Sequence, residues 1–213
     1  MGLDAEVVVR AALEVLDAEG FDGLTVRRIA ERLGVQNPAL YWHFKNKQEI
    51  VDRMAERLLR GALVPAGSPQ IWEQWLRLAA HAFRSAMLSH RDGARLMASA
   101  DLSSGPMPGY LDRALAQLVA AGFRDRDALI GLVAIFDYTL GSTFEEQADP
   151  VRQRRPPEAP PSLAAKLGKK LTPNDVFDGA VTLIIDGLRQ KLGRSASRAS
   201  SPRRRGAATS RRR

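Results

Sequence analysis

The 213-residue chain predicts an all-α fold: a small three-helix domain with a helix-turn-helix pattern, followed by a larger helical domain. Three observations carry this. Apolar residues recur at helical spacing, and no strand-like alternation interrupts them. Caps and stops follow one another closely between residues 24 and 50. Two later stretches are apolar around most of their girth, the mark of helices that need more than one partner.

In order, residues 4–19 place Val9, Ala12, Leu13 and Leu16 on one side of a helix. Gly20 and Phe21 close it, with Phe21 expected to plug the small domain's core. Thr25 caps a helix whose inward side is Ile29, Ala30 and Leu33, and Gly34 ends it because glycine takes the left-handed conformation cheaply. Asn37 is read as the cap of a short helix, Pro38–His43, with Pro38 suited to its first turn. Asn46 opens the next, with Glu49 completing a capping box. That helix runs from Lys47 to about Leu63 with Ile50, Val51, Met54, Leu58 and Leu59 inward. It starts in the small domain and ends in the large one, so it is the natural lever between them.

Residues 64–69 form a breaker cluster. Ser68 and Pro69 are read as the start of a helix to about Ser89 that buries Trp72, Trp75 or Leu76, Ala79, Phe83 and Met87. A short helix is expected near Arg91–Ala98, a loop over 103–109, and a helix from Tyr110 to Ala121 stopped by Gly122. The stretch 126–147 is apolar at Leu129, Leu132, Val133, Phe136 and Leu140. Residues 149–161 are proline-rich and charged and read as a long loop, with a short amphipathic helix over 162–170. Thr172, Pro173 and Asp175 start a last helix ending near Leu192, with Val176, Ala180, Leu183, Ile184, Gly187 and Lys191 as its stripe. The expected division is 1–47, 48–192 and a disordered Arg-rich tail, 193–213.

A helix, a tight turn and a second short helix place that second helix in the DNA major groove. The side chains suit this. Arg27, Arg28, Arg32, Lys45 and Lys47 flank the short helix with only Glu31 opposing them, and such cations hold phosphates and fix register. Gln36 and Asn37 have amides able to read adenine edges, and Ala39 suits a thymine methyl. Tyr41 and His43 can donate to phosphate, while Trp42 is expected to be half-buried beside them. Thr25 and Pro38 complete the candidate interface. A helical hairpin with merely solvated charges is the plainer alternative, since such patterns are short and degenerate.

GLTVRRIAERLGV followed by LYWHFKNK resembles the DNA-binding domain of the TetR family of transcriptional repressors. MLSHRDGA, Met87–Ala94, and YTLGSTFEEQ, Tyr138–Gln147, are similar to segments of its tetracycline-repressor subgroup. The resemblance covers about residues 4–192. It implies a ligand-responsive repressor that binds a palindromic operator as a homodimer. Helices 126–147 and 173–192 would pair with their mates in a four-helix bundle, with Gly131, Gly141, Gly179 and Gly187 allowing close approach. An ordinary internal core is the alternative from pattern alone.

The resemblance also implies a pocket in the larger domain, lined by Leu63, Ala79, Phe83, Met97, Ala100, Asp101, Ala114, Asp137 and Glu145. Relatives hold a magnesium–tetracycline chelate there. In this chain the metal-ligating histidine falls on Met97, the neighbouring threonine and arginine on Ala100 and Asp101, and drug-gripping amides on Ala79 and Ala114. A second histidine becomes Asp137, Glu145 matches the acid that reaches magnesium through water, and Phe83 is kept. Thioether sulfur is a poor ligand for a hard cation. The expected inducer is therefore a largely apolar molecule other than the chelate, with a cationic or hydroxyl group facing the acids. Alternatively, some of these acids are solvated or serve the dimer seam.

Composition narrows the remaining classes. Cysteine is absent, so disulfides and thiolate metal sites are excluded, in keeping with a cytoplasmic, DNA-associated protein. No apolar run is expected to span a membrane. His43, His81 and His90 lack metal-ligand spacing, and no GxSxG elbow or Gly-rich phosphate loop is present. His90-Arg91-Asp92 superficially matches a kinase catalytic loop, but Met97 stands where that loop needs asparagine. No enzyme, metal or cofactor is expected. The net charge of +8 equals the eight arginines of the tail, and the other 24 basic residues balance 24 acidic ones. The tail either raises non-specific DNA affinity by counterion release, making an architectural DNA-binding protein the alternative function, or is a tolerated extension. Deleting residues 193–213 separates these: a repressor keeps sequence-specific binding in a gel-shift assay, whereas a tail-driven binder loses it.

Overall fold

In a computed structural model, the structure describes residues 3–64, 71–103, 107–152 and 171–200, and every regular element among them is a helix. These are α1 Ala5–Gly23, α2 Val26–Leu33, α3 Asn37–Leu40, α4 Lys47–Ala62, α5 Trp72–Leu88, α6 Gly93–Ser99, α7 Met107–Ala120, α8 Asp125–Arg152 and α9 Pro173–Ser200. The Ser68 cap and the 162–170 helix fall outside the described residues.

Local chemistry accounts for most boundaries. The side chains of Thr25 and Asn46 accept from Arg28 N–H and Glu49 N–H, and Gly34 closes α2 at φ 67°. Thr172 and Asp175 make a reciprocal capping box at α9. Helix α1 passes through Gly20, where a φ of 76° kinks it, and resumes to Gly23. Phe21 is therefore not a core plug but half-buried at the joint between the small domain and the rest. The loop expected over 103–109 is already helical from Met107, whose buried side chain anchors the extra turn. Helix α8 continues through Asp149 and Pro150 to Arg152. Pro150 forgoes only the one bond that its own N–H would make, two residues before the helix ends. Helix α9 likewise runs beyond Gly193 to Ser200, since glycine lowers helix propensity without forbidding it.

The helices enclose two apolar clusters. The first runs without a break from α1, α2 and α4 into Phe83, Met87, Leu96, Met97 and Met107. The second joins Trp72, Trp75, Leu118, Leu132, Phe177, Val181 and Ile185 across α5, α7, α8 and α9. In α5 the buried alanine is Ala80, with Ala79 half-buried. Along α9 the inward residues are Phe177, Val181, Ile185 and Leu188, not the expected stripe, and Val176 and Leu183 point outward. The helix is apolar on two sides, and spacing alone does not say which side faces in. Helix α8 repeats this, with Leu129, Ile130, Val133 and Phe144 exposed. Over Asp125–Ala148 it has the length and hydropathy of a membrane span, against the sequence expectation, because its outer face is as apolar as its inner one.

Glycine sets the spacing at two contacts. A Cβ at Gly131 would lie 2.8 Å from the Leu188 side chain, so α8 and α9 touch through hydrogen. One at Gly93 would lie 2.1 Å from the Met87 carbonyl oxygen, which fixes the turn from α5 to α6.

A single buried cation ties three helices together. Arg84 on α5 donates from Nε and Nη2 to Glu146 on α8 at 3.0 and 2.8 Å, and from Nη1 to Asn174 on α9 at 2.8 Å. Its guanidinium also lies 4.8 Å from the Phe177 ring centroid. A desolvated charge is tolerated only with such compensation. Arg84→Leu leaves Glu146 without its partner and is expected to cost about 2–3 kcal/mol, read as a lower urea midpoint at unchanged slope.

Candidate functional site

The helix-turn-helix presents a short exposed turn. Leu40 and Phe44, one helical turn apart, are buried and pin it to α1 and α4. Around them Gln36, Asn37, Pro38, Tyr41, Trp42 and His43 face solvent, and Ala39 is half-buried. The cap position falls on Gln36, one residue before the expected Asn37, because Ala39 N–H donates to the Gln36 carbonyl. No side chain caps this end, so the amides of Gln36 and Asn37 do not serve that purpose. The regular helix ends at Leu40, and 41–43 form a turn rather than the last part of a six-residue helix. Trp42 is 87% exposed, not half-buried, because Leu40 and Phe44 already fill the space beneath the turn.

The flanking cations are better paired than expected. Arg27 and Arg28 bond Glu31, Arg28 also reaches Glu19, and Arg32 bonds Glu14. Glu14 and Glu19 lie on α1, which sequence order conceals. The Glu31 carboxyl is held below its usual range by its hydrogen bond with Arg27. These exposed pairs are screened and exchange readily for other anions. The Lys47 ammonium lies 5.6 Å from the Phe21 ring centroid.

The segment His90–Arg95 clamps the small domain to the large one. Asp17 on α1 accepts from Arg91 N–H and meets His90 Nδ1, each at 2.9 Å. Asp92 accepts from Phe21 N–H at 2.8 Å. Arg95 grips Asp22 through two bonds of 2.9 and 2.6 Å, which hold that carboxyl below its usual range. A second tie joins α4 to the end of α6. Gln48 donates to the Ser99 carbonyl, and the Asp52 carboxylate accepts from Asp101 N–H, each at 2.8 Å.

The far end of α4 reaches a cavity of about 70 Å³ between α4, α5, α7 and α8. Leu63, Ala79, Phe83 and Ala114 line it, together with Leu59, Trp75, Tyr110 and Thr139, which the sequence does not mark as a site. Burial pushes the Tyr110 hydroxyl above its usual range. An open cleft of about 570 Å³ shares the walls Met107, Leu111, Leu132 and Phe136. Asp137 lines this cleft and is exposed.

The remaining candidates lie elsewhere. Met97 is buried in the first cluster, with half-buried Ala100 packed on it. The exposed Asp101 carboxylate accepts from Ser103, which holds it below its usual range, and Glu145 is exposed on α8. The four residues Met97, Ala100, Asp101 and Glu145 line neither cavity nor cleft. A magnesium chelate does not fit this donor set: the buried thioether of Met97 is no ligand for a hard cation. Among the described residues no group of three His, Asp or Glu side chains converges to hold a metal.

Comparison with known proteins places these features in a lineage. Residues 8–54 match the family described as bacterial regulatory proteins, tetR family, and residues 64–192 match the tetracyclin repressor-like, C-terminal domain. The chain is 38% identical over 200 residues to the class A tetracycline repressor of transposon 1721 from Escherichia coli, covering 89% of this chain and 92% of that one. The crystal structure of TetR from Acinetobacter baumannii AYE superposes with a TM-score of 0.76 at 35% identity, over 90% of this chain and 99% of that one. BioQ with its double-stranded DNA operator aligns at a TM-score of 0.69 and 31% identity, over 88% and 98% of the two chains.

Proposed function

Because this chain belongs to the TetR family of bacterial transcriptional regulators, with a tetracycline repressor-like C-terminal domain, we propose that it is a dimeric, cytoplasmic repressor released from a palindromic operator by a small, largely apolar molecule. The observation that carries this reading is the continuity of α4. Its first turn lies beside the exposed 36–43 turn, and Leu59 near its other end forms part of the cavity wall. Whatever shifts the wall shifts the reading turn.

The dimer rests on the outward faces of α8 and α9. Leu129, Ile130, Val133, Phe144, Val176 and Leu183 are exposed there. Gly141, Gly179 and Gly187 have open space where a Cβ would be. An apolar surface of this kind, flanked by small residues, fits a second copy better than water. A two-fold pair presents two reading turns to half-sites about 34 Å apart.

The cavity is far below the ~300 Å³ of an ordinary ligand site. An inducer therefore enlarges it, displacing the Met107 and Phe136 walls toward the open cleft. Met97 and α6 pack on that region, and the Asp52–Asp101 and Gln48–Ser99 bonds carry the displacement to the first half of α4. The ligand acts only by binding the shifted state more tightly. Two sites at about 1–3 kcal/mol each approach the ~5.5 kcal/mol that inverts a 99:1 population.

The acids expected around the inducer lie outside the cavity wall, so the cationic partner is no longer part of the reading. A solved structure shows TetR(class A) in complex with 5a,6-anhydrotetracycline and magnesium. Met97 separates this chain from that chemistry.

Leu183→Glu places a charge on each side of the two-fold seam. Light scattering of the wild type at micromolar concentration should give twice the 23.4 kDa chain mass, and the variant should fall toward one. Footprinting of the DNA upstream of the protein's own gene should show a palindrome that the variant fails to protect. A wild-type monomer removes the proposal. On that operator, Lys45→Ala should weaken all sequences alike and flatten the salt slope by about one unit. Asn37→Ala should instead relax base preference by about 1–3 kcal/mol. Identical behaviour of the two would abolish the division between positioning and reading residues.

A further inference from the structure

Asp92 is the only non-glycine among the described residues with a left-handed backbone, at φ 55°. It stands at the N-terminal end of α6, where an aspartate ordinarily turns its carboxylate onto the free N–H groups of its own helix. Here it makes no such bond. The carboxylate accepts instead from Phe21 N–H at 2.8 Å, in the small domain. Helix α1 is shaped around it: a Cβ at Gly20, the kink of that helix, would lie 2.8 Å from Asp92 Oδ2.

The cap that Asp92 withholds comes from α8. Gln147 Oε1 accepts from Ala94 N–H, in the first turn of α6, at 3.0 Å. The same side chain donates from Nε2 to the His90 carbonyl at 2.9 Å and to the Met87 carbonyl at 3.2 Å. One half-buried amide thus satisfies three backbone groups of the turn from α5 into α6. Only an amide of this length does all three. Glutamate has no donor for the carbonyls, methionine has no donor and only a weak acceptor, and asparagine is one methylene shorter.

We propose that Gln147 is a positioning residue for the reading turn: by capping α6 from α8, it leaves Asp92 free to hold α1. This rests on the reading of the chain as an operator-binding repressor. Helix α8 also carries the proposed seam between copies, so the seam is wired to the small domain by a route that bypasses both α4 and the cavity. Without the amide, Ala94 N–H draws the Asp92 carboxylate back onto α6, and Phe21 N–H loses its acceptor.

Gln147→Met tests this, because it keeps the side chain's length and helix propensity. Amide hydrogen exchange is followed by NMR in the full-length protein, with and without Asp92→Gly, which suits the left-handed backbone. Phe21 N–H should exchange about tenfold faster in Gln147→Met than in the wild type, as loss of one bond to a charged acceptor requires. The Val9 and Leu13 amides of α1 should keep their rates. In the Asp92→Gly background the same substitution should leave Phe21 unchanged, since its acceptor is already gone. On the footprinted operator, Gln147→Met should bind about tenfold more weakly, as a tenfold smaller competent fraction dictates. Three results overturn the proposal: wild-type exchange at Phe21, which makes Gln147 a local cap; equal acceleration in both backgrounds, which makes it a general stabiliser; and undiminished operator affinity. If the wild type binds no operator, the repressor reading falls and takes this role with it, whatever the exchange rates. Gln147→Ala replaces Gln147→Met should the latter fail to fold.

Discussion

The structure depends on α4 being a single stiff rod held at both ends. Asn46 and Glu49 fix its start, the latter by accepting from Lys45 N–H at 2.7 Å. Its apolar face, from Ile50 to Leu59, lies in the same cluster as α1 and the inner residues of α5 and α6. A helix so embedded cannot bend locally without opening packed core, and close-packed cores transmit strain rather than absorb it. The small domain therefore has no hinge of its own. Its orientation is set by what touches α4 and by the clamp between α1 and the His90–Arg95 segment.

That clamp adds oriented polar contacts to a joint whose apolar packing is continuous. Phe21 is half-buried, with the Lys47 ammonium and the Arg95 guanidinium 5.6 and 4.9 Å from its ring centroid. Asp17, Asp22 and Asp92 add oriented hydrogen bonds at its rim. Exposed pairs of this sort contribute modestly each, but they specify one geometry among several that greasy packing would tolerate. Inside the large domain Arg84 serves the same end by a costlier route, bringing α5, α8 and α9 into one register.

Much of this was readable before any coordinates. Helix starts at Thr25, Asn46 and Thr172 follow from capping chemistry confined to four residues, so local sequence suffices. The family was equally accessible. What escaped were choices that depend on distant chain. Spacing showed that α8 and α9 were apolar on two sides but not which side faced inward. It could not place Glu14 and Glu19 beside the arginines of α2, nor set Asp101 against Asp52 and away from the cavity. Trp42 was misjudged because its burial depended on whether Leu40 and Phe44 left room.

The disposition of the three tryptophans has a practical corollary. Trp42 stands in water on the turn of the helix-turn-helix, while Trp75 and Trp72 are buried around the large domain's interior. Indole emission shifts to the blue and narrows when water is excluded, so the red edge of the spectrum reports that turn and the blue edge the chamber. The molecule thus carries, in its own side chains, separate optical gauges for its two ends, and communication between them could be watched without attaching a dye.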